Sequence, residues 1–250
     1  MPRLTGIKTG PFPPATGNRK LNHAGILSFS ACGTTIGRIN LKSVSGVAGY
    51  LSIIIFCLFS LLSVYFMWDR FSPFDMWIGD FGDDTENPAG YVFYNTGSMI
   101  TGILLALFYL GLSEWRTDSR IRNFSLGAGI LTGGISGILM FLAGYVSTHE
   151  QPLHLQLSVL YFALSFFAIM FICLALAGLP LYGEATLCIG VTTLALTLVL
   201  AFSYLLDIEP IIAEWFTGFA LLTWIGLTAR DSFTLSREKD TVKPAVSMQA

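Results

Sequence analysis

LSIIIFCLFSLLSVYFMW, residues 51–68, runs for eighteen residues without one charged side chain. As a helix rising 1.5 Å per residue it would reach about 27 Å, close to the roughly 30 Å of a bilayer's hydrocarbon core. Lipid offers no partners to backbone N–H and C=O groups, so a segment crossing it must pair them internally and is read as a helix. Extended upstream to Ser45, this run is the first of six. The others span about 91–112, 124–146, 154–179, 185–206 and 211–228. The fifth contains VTTLALTLV, residues 191–199, whose β-branched residues favour strands in water. The pairing requirement of the bilayer overrides that preference. The expected fold is therefore all-α: a polytopic membrane protein with six transmembrane helices in one bundle.

Composition agrees. Hydrophobic residues make up 53% of the 250 and charged residues 12%, against about 25% charged in soluble domains. The charges are also segregated. Arg3, Lys8, Arg19, Lys20, Arg38 and Lys42 precede the first run; Arg116, Arg120 and Arg122 lie between the second and third; Arg230, Arg237, Lys239 and Lys243 follow the sixth. The three connections on the opposite side hold Arg70 as their one cation, with Asp69, Asp75, Asp80, Asp83, Asp84, Glu86, Glu150, Asp207 and Glu209. Cationic excess marks the cytoplasmic side, which places both the N- and C-termini there.

The domain reading is a basic, disordered tail over 1–43, a six-helix transmembrane domain over 44–230, and a cytoplasmic C-terminal tail over 231–250. Localisation follows as a multi-pass protein of the cell membrane, or of an organellar or endomembrane in a eukaryote. The acid-free N-terminal segment also has the charge of a transit peptide, but no amphipathic Arg-rich helix is visible in it. Asn123-Phe124-Ser125 fits the N-glycosylation sequon but falls at an inner boundary, so it should carry no glycan. Cys32, Cys57, Cys173 and Cys188 form neither a disulfide framework nor a C-x-x-C knuckle.

Polar residues collect at the outer ends of the runs. The connection DRFSPFDMWIGDFGDDTENPAG, residues 69–90, carries its own apolar residues, which suggests a segment lying on the membrane or folded over the helix ends. Its Asp80, Asp83, Asp84 and Glu86 are oxygen donors of the kind Ca²⁺ takes, but their spacing is not that of an EF-hand; they are weak metal candidates. Asn95, Thr96, Ser98 and Thr101 occupy the first turns of the second helix, and Asn95 should face the bundle and pair with the third, fourth or sixth helix. His149, Glu150 and His154 flank the start of the fourth helix, separated by Pro152 rather than sharing one helix face as in HExxH. Glu214 is the acid placed within a span. Gly129, Gly133 and Gly137 recur at every fourth position of LGAGILTGGISGILMFLAG, residues 126–144, a face that admits close approach of another helix. No phosphate-binding loop, dinucleotide fingerprint or nucleic-acid module is present, and no cofactor is implied.

Ile78-Gly79-Asp80-Phe81-Gly82, then Asn87-Pro88-Ala89, then Phe93-Tyr94-Asn95-Thr96-Gly97 and Gly102, with His154 and Phe162 further on, resembles the pattern of the DRAM/Frag/Sfk-type six-helix membrane proteins, most of all their prokaryotic relatives of unknown function. The resemblance covers about residues 45–230 and departs at Gly79, where the family usually has Ser. It implies six helices, an outward polar cluster and, in eukaryotic members, lipid handling that includes glycolipid-anchor remodelling; it implies no settled reaction.

The leading reading is a non-catalytic protein that binds or organises membrane lipids, or scaffolds partners, through an outward pocket lined by Asp80, Asn95, His154 and Glu214. The alternatives are a metal-dependent lipid hydrolase or acyl-transfer enzyme using His149, Glu150 and His154, and a structural subunit of a homodimer or larger membrane complex that meets its partner through the glycine face.

Overall fold

The six apolar runs form six helices in a computed structural model that describes residues 41–146, 150, 152–206, 208 and 210–247. Over 41–43 and 239–247 it describes the helix alone. Residues 1–40, with Arg3, Lys8, Arg19, Lys20, Arg38 and Cys32, lie outside the described residues, as do His149, Asp207 and Glu209, whereas Lys42 falls in the first turn of the first helix. The helices are α1 (Leu41–Phe66), α2 (Tyr91–Gly111), α3 (Arg120–Tyr145), α4 (Leu153–Leu176), α5 (Glu184–Leu205) and α6 (Ile211–Ser247). No strand occurs among the described residues. Each of the six helices is long and apolar enough to cross a membrane.

Helices packed in chain order form the bundle, and α6 returns against α1 to close the ring. Phe108, Leu112, Ile172, Leu176, Trp224 and Ile225 are fully buried within it. The outer face is apolar as well: Leu61 is 68% exposed, and Leu131 and Leu174 are each 64% exposed. A bundle in water could not leave that much aliphatic surface uncovered, whereas one in lipid has no reason to cover it.

The glycines of α3 set how closely its neighbours approach. A Cβ on Gly137 would stand 2.7 Å from the Gly102 carbonyl of α2, and one on Gly129 would stand 2.7 Å from Ile172 Cγ1 of α4. A Cβ on Gly133 would enter the Tyr109 ring. The expected small-residue face is therefore used within the bundle, against α2 and α4. Gly127 and Gly134, with nothing within 4 Å of a Cβ, face away from these contacts.

The largest difference from the sequence reading is the length of α6, which continues past Thr228 to Ser247. No glycine or proline interrupts the chain between Gly226 and Pro244, so the change from apolar to charged composition does not stop the helix. This continuation buries Asp231 at the far end of the bundle, the end opposite the 69–90 connection. Its Oδ2 accepts from the Gly183 N–H at 3.0 Å and the Thr186 hydroxyl at 2.6 Å, just where α5 begins. Its Oδ1 accepts from Arg230 Nε at 3.1 Å and Nη2 at 2.9 Å. One residue further, the Ser232 hydroxyl accepts the Trp115 indole N–H at 3.1 Å. The Asn123 side chain is engaged here too, accepting from the Thr117 N–H at 2.8 Å and donating to its carbonyl at 2.6 Å.

Candidate functional site

The connection over 69–90 is folded across the helix ends. Its centre is one turn of 3-10 helix, Ile78–Gly82. Phe81, 1% exposed, is inserted among Phe71, Tyr94 and Trp215, with ring centroids 5.7–5.8 Å apart. Trp77 stacks on Tyr204 of α5 at 5.7 Å, and the Trp215 indole donates to the Met76 carbonyl at 3.0 Å. Of the two arrangements the sequence allows, a segment lying on the membrane or one folded over the helix ends, the structure has the second, anchored by Phe71, Trp77 and Phe81, while Phe74 stays exposed.

Buried Asn87 locks the other side. Its amide nitrogen donates to the Ser63 hydroxyl at 2.8 Å and the Phe81 carbonyl at 3.2 Å, while its oxygen accepts the Gly90 N–H at 3.0 Å. The Ser63 hydroxyl in turn donates to the Phe81 carbonyl at 3.0 Å. Sequence reasoning quoted Asn87 as part of a motif without giving it this role. A polar residue beside Pro88 reads as a turn residue, and its depth is visible only once the loop is folded.

Asp80, Asn95 and Glu214 each hydrogen-bond the backbone of the 77–82 segment, and His154 stands beside its Gly79. The Glu214 carboxylate accepts the Ile78 N–H at 3.0 Å, across 136 residues of chain. Asp80 Oδ2 accepts the Trp77 N–H at 2.8 Å, and the Asn95 amide donates to the Gly82 carbonyl at 3.1 Å. Asn95 thus pairs with the loop and not with the third, fourth or sixth helix, because the 3-10 turn descends to the first turn of α2. His154 Nδ1 lies 2.8 Å from the Val146 carbonyl. Since a carbonyl can only accept, Nδ1 carries the proton in the neutral ring and Nε2 presents a lone pair. That Nε2 faces Gly79, where a Cβ would stand 3.6 Å away, so a side chain at 79 would bear directly on the imidazole.

The site is rich in acceptors. Burial holds the half-buried Asp80 carboxyl above the usual carboxylate range; the Trp77 N–H and His154 oppose that shift, while Asp83 and Glu86 add to it. Below Asp80, a strip of unmatched polar atoms runs down α2. Asn95 Oδ1, Ser98 Oγ and Thr101 Oγ1 are buried without a hydrogen-bond partner, as are Ser60 and Thr228 elsewhere. The Tyr94 hydroxyl comes near Ser98 without reaching hydrogen-bond geometry. Thr193, Thr197, Thr217 and Thr223 instead donate to the carbonyl four residues back, the ordinary refuge of a hydroxyl on an apolar helix. Ser98 and Thr101 make no such bond.

The metal candidates are not gathered into a site. Asp83 Oδ1 accepts the Thr85 N–H at 2.8 Å, the Thr85 hydroxyl at 2.6 Å and the Glu86 N–H at 3.2 Å, which makes it the builder of a turn. Asp84 and Glu86 are exposed, with Glu86 beside Arg70. Among the described residues no three His, Cys, Asp or Glu side chains stand together as a metal-binding group. Of the enzymatic candidates, His149 lies outside the described residues, Glu150 is exposed and His154 is buried. No protein-family model matches the chain, and neither a curated protein nor a solved structure matches it.

Proposed function

We propose that the chain is a membrane lipid-binding protein that holds a headgroup rich in hydrogen-bond donors at the end covered by the 69–90 connection. The observation that carries this reading is the gathering of Asp80, Asn95, His154 and Glu214 around one turn of backbone. Between them, two carboxylates, an amide oxygen and an imidazole lone pair offer acceptors and little to receive a bare phosphate. The complementary ligand is an ammonium or hydroxyl headgroup. The unmatched strip on α2 supports the same reading, because buried polar atoms are rarely left without partners unless something else supplies them. The charge distribution supports cytoplasmic termini, which puts this end on the opposite side of the membrane. The resemblance to the DRAM/Frag/Sfk-type proteins, and the lipid handling it implies, belongs to this proposal.

Retention of phosphatidylethanolamine against phosphatidylcholine tests it. The two are equally charged, but only the first carries N–H donors. The purified protein in detergent should retain phosphatidylethanolamine several-fold better, and Asp80→Asn, Asn95→Ala and His154→Ala should each reduce that preference. Equal retention of the two lipids, unchanged in all three variants, would reject the proposal.

A further inference from the structure

A groove of about 420 Å³ runs along the outer face between α1 and α6, with Ile53, Cys57 and Phe219 along its apolar walls and Tyr50 and Arg230 at one end. Its volume is in the range of small-molecule sites, roughly 300–1,000 Å³. Gly226 makes the groove possible: it lines the floor, and a Cβ there would already come within 3.2 Å of Ile53 Cδ1. From Ile211 to Arg230 the helix rises about 28 Å, close to the thickness of a hydrocarbon core, so Arg230 lies at the headgroup level of the far end. From Arg230 to Phe219 it descends about 16 Å, the reach of an acyl chain entering the core.

The guanidinium is held ready. Asp231 takes its Nε and Nη2 through one oxygen, while the other oxygen is engaged by the Gly183 N–H at the start of α5 and by Thr186. The positive end of the α5 dipole therefore shares the aspartate's charge with Arg230. The Arg230 side chain remains 51% exposed, against 6% for Asp231. Arginine fixed in this way is suited to receive phosphate oxygens.

We infer that the α1–α6 groove binds an anionic phospholipid, one acyl chain lying over Gly226 toward Phe219 and the phosphate seated on Arg230. The inference shares with the proposed function the reading of the bundle as membrane-spanning, but it concerns the opposite end and different residues. A second groove, between α2 and α3 over Gly102, Ala106, Gly137 and Phe141, has a volume of about 360 Å³ and a wholly apolar lining. Lacking a cation, it has no means of distinguishing headgroup charge and serves as an internal reference.

The test uses the full chain in phosphatidylcholine vesicles containing a trace of phosphatidylglycerol with a photoreactive diazirine at the end of one acyl chain. Peptides containing Cys57 and Phe219 should be labelled, and the same diazirine on phosphatidylcholine should label them several-fold less, because its choline ammonium opposes the guanidinium beside the phosphate that both lipids carry. Labelling at the α2–α3 groove should not distinguish the two probes. Arg230→Gln should lower phosphatidylglycerol labelling of the α1–α6 groove and abolish the difference between the two probes there. Gly226→Leu, which fills the floor without touching Asp231, should block both probes there. Equal labelling by the two probes, labelling spread evenly over all six helices, or labelling that both variants leave unchanged would overturn the assignment. Both variants should keep the phosphatidylethanolamine preference of the other end, so a failure at either site is separable from a failure at the other.

Discussion

The two ends of the bundle each draw carboxylates in among protein groups, and they treat them in opposite ways. At the far end Asp231 is 4% exposed, and both of its oxygens are matched, by Gly183, Thr186 and Arg230. At the loop end Asp80 and Glu214 each accept a backbone N–H of the 77–82 segment, and nearby Asn95, Ser98 and Thr101 keep polar atoms unmatched. A fully satisfied buried network rigidifies what it joins; an incompletely satisfied one keeps a capacity for something else. At the far end the Asp231 network ties α5 to α6 and fixes Arg230, whereas the loop end keeps buried polar atoms unmatched.

The largest test of this contrast is at Asp231. Asp231→Ala removes the acceptor of four hydrogen bonds and leaves the Gly183 N–H without its partner. It should lower unfolding stability in detergent by about 3 kcal/mol. Ser98→Ala, which removes a hydroxyl that has no partner, should change it by less than about 0.5 kcal/mol. Equal costs for the two in a denaturation series would erase the distinction between the ends.

Glu214→Ala should have a smaller and local effect, about 1 kcal/mol, because one backbone donor loses its acceptor. Hydrogen exchange at the Ile78 amide should accelerate while amides in the middle of α6 keep their protection. Unchanged exchange at Ile78 would show that the aromatic contacts hold the 3-10 turn without the carboxylate.

The smallest effect concerns pH. Burial raises the Asp80 carboxyl above its ordinary value, so the folded form holds that proton more tightly than the unfolded chain does. Its contribution to stability is full below the ordinary carboxylate range and is lost as pH rises through the elevated folded value. Asp80→Asn removes the titration while keeping an acceptor for the Trp77 N–H, and the melting temperature should flatten across that interval. A variant whose pH profile parallels the original would assign the dependence to other groups.

The contrast between the ends was partly legible before any coordinates. Asp80, Asn95, His154 and Glu214 are each a polar residue at the rim of an apolar run, and the structure bonds three of them to the backbone of one segment, with His154 beside its Gly79. Their partners were not legible: Asn95 meets Gly82 of the loop rather than another helix. The role of Asp231 is not legible in the sequence. Beside Arg230 and just beyond an apolar stretch, the residue has the look of a solvated tail residue, although the unbroken helix-compatible chain up to Pro244 signals that α6 continues.

Six helices were determined by chain composition alone, since a run of about 20 apolar residues has one way to satisfy its backbone in lipid, and that way involves no other part of the chain. The same local logic marks where polar groups are costly enough to need a reason. What those groups pair with depends on contacts across as many as 136 residues, as between Ile78 and Glu214. Such pairings follow from how deep the 69–90 connection sinks, which way each helix is rotated, and where Gly102, Gly129 and Gly137 let backbones meet. Those are properties of the packed assembly: the charge or hydropathy of a residue states what its burial would cost, and only the neighbours brought to it by folding state whether that cost is met.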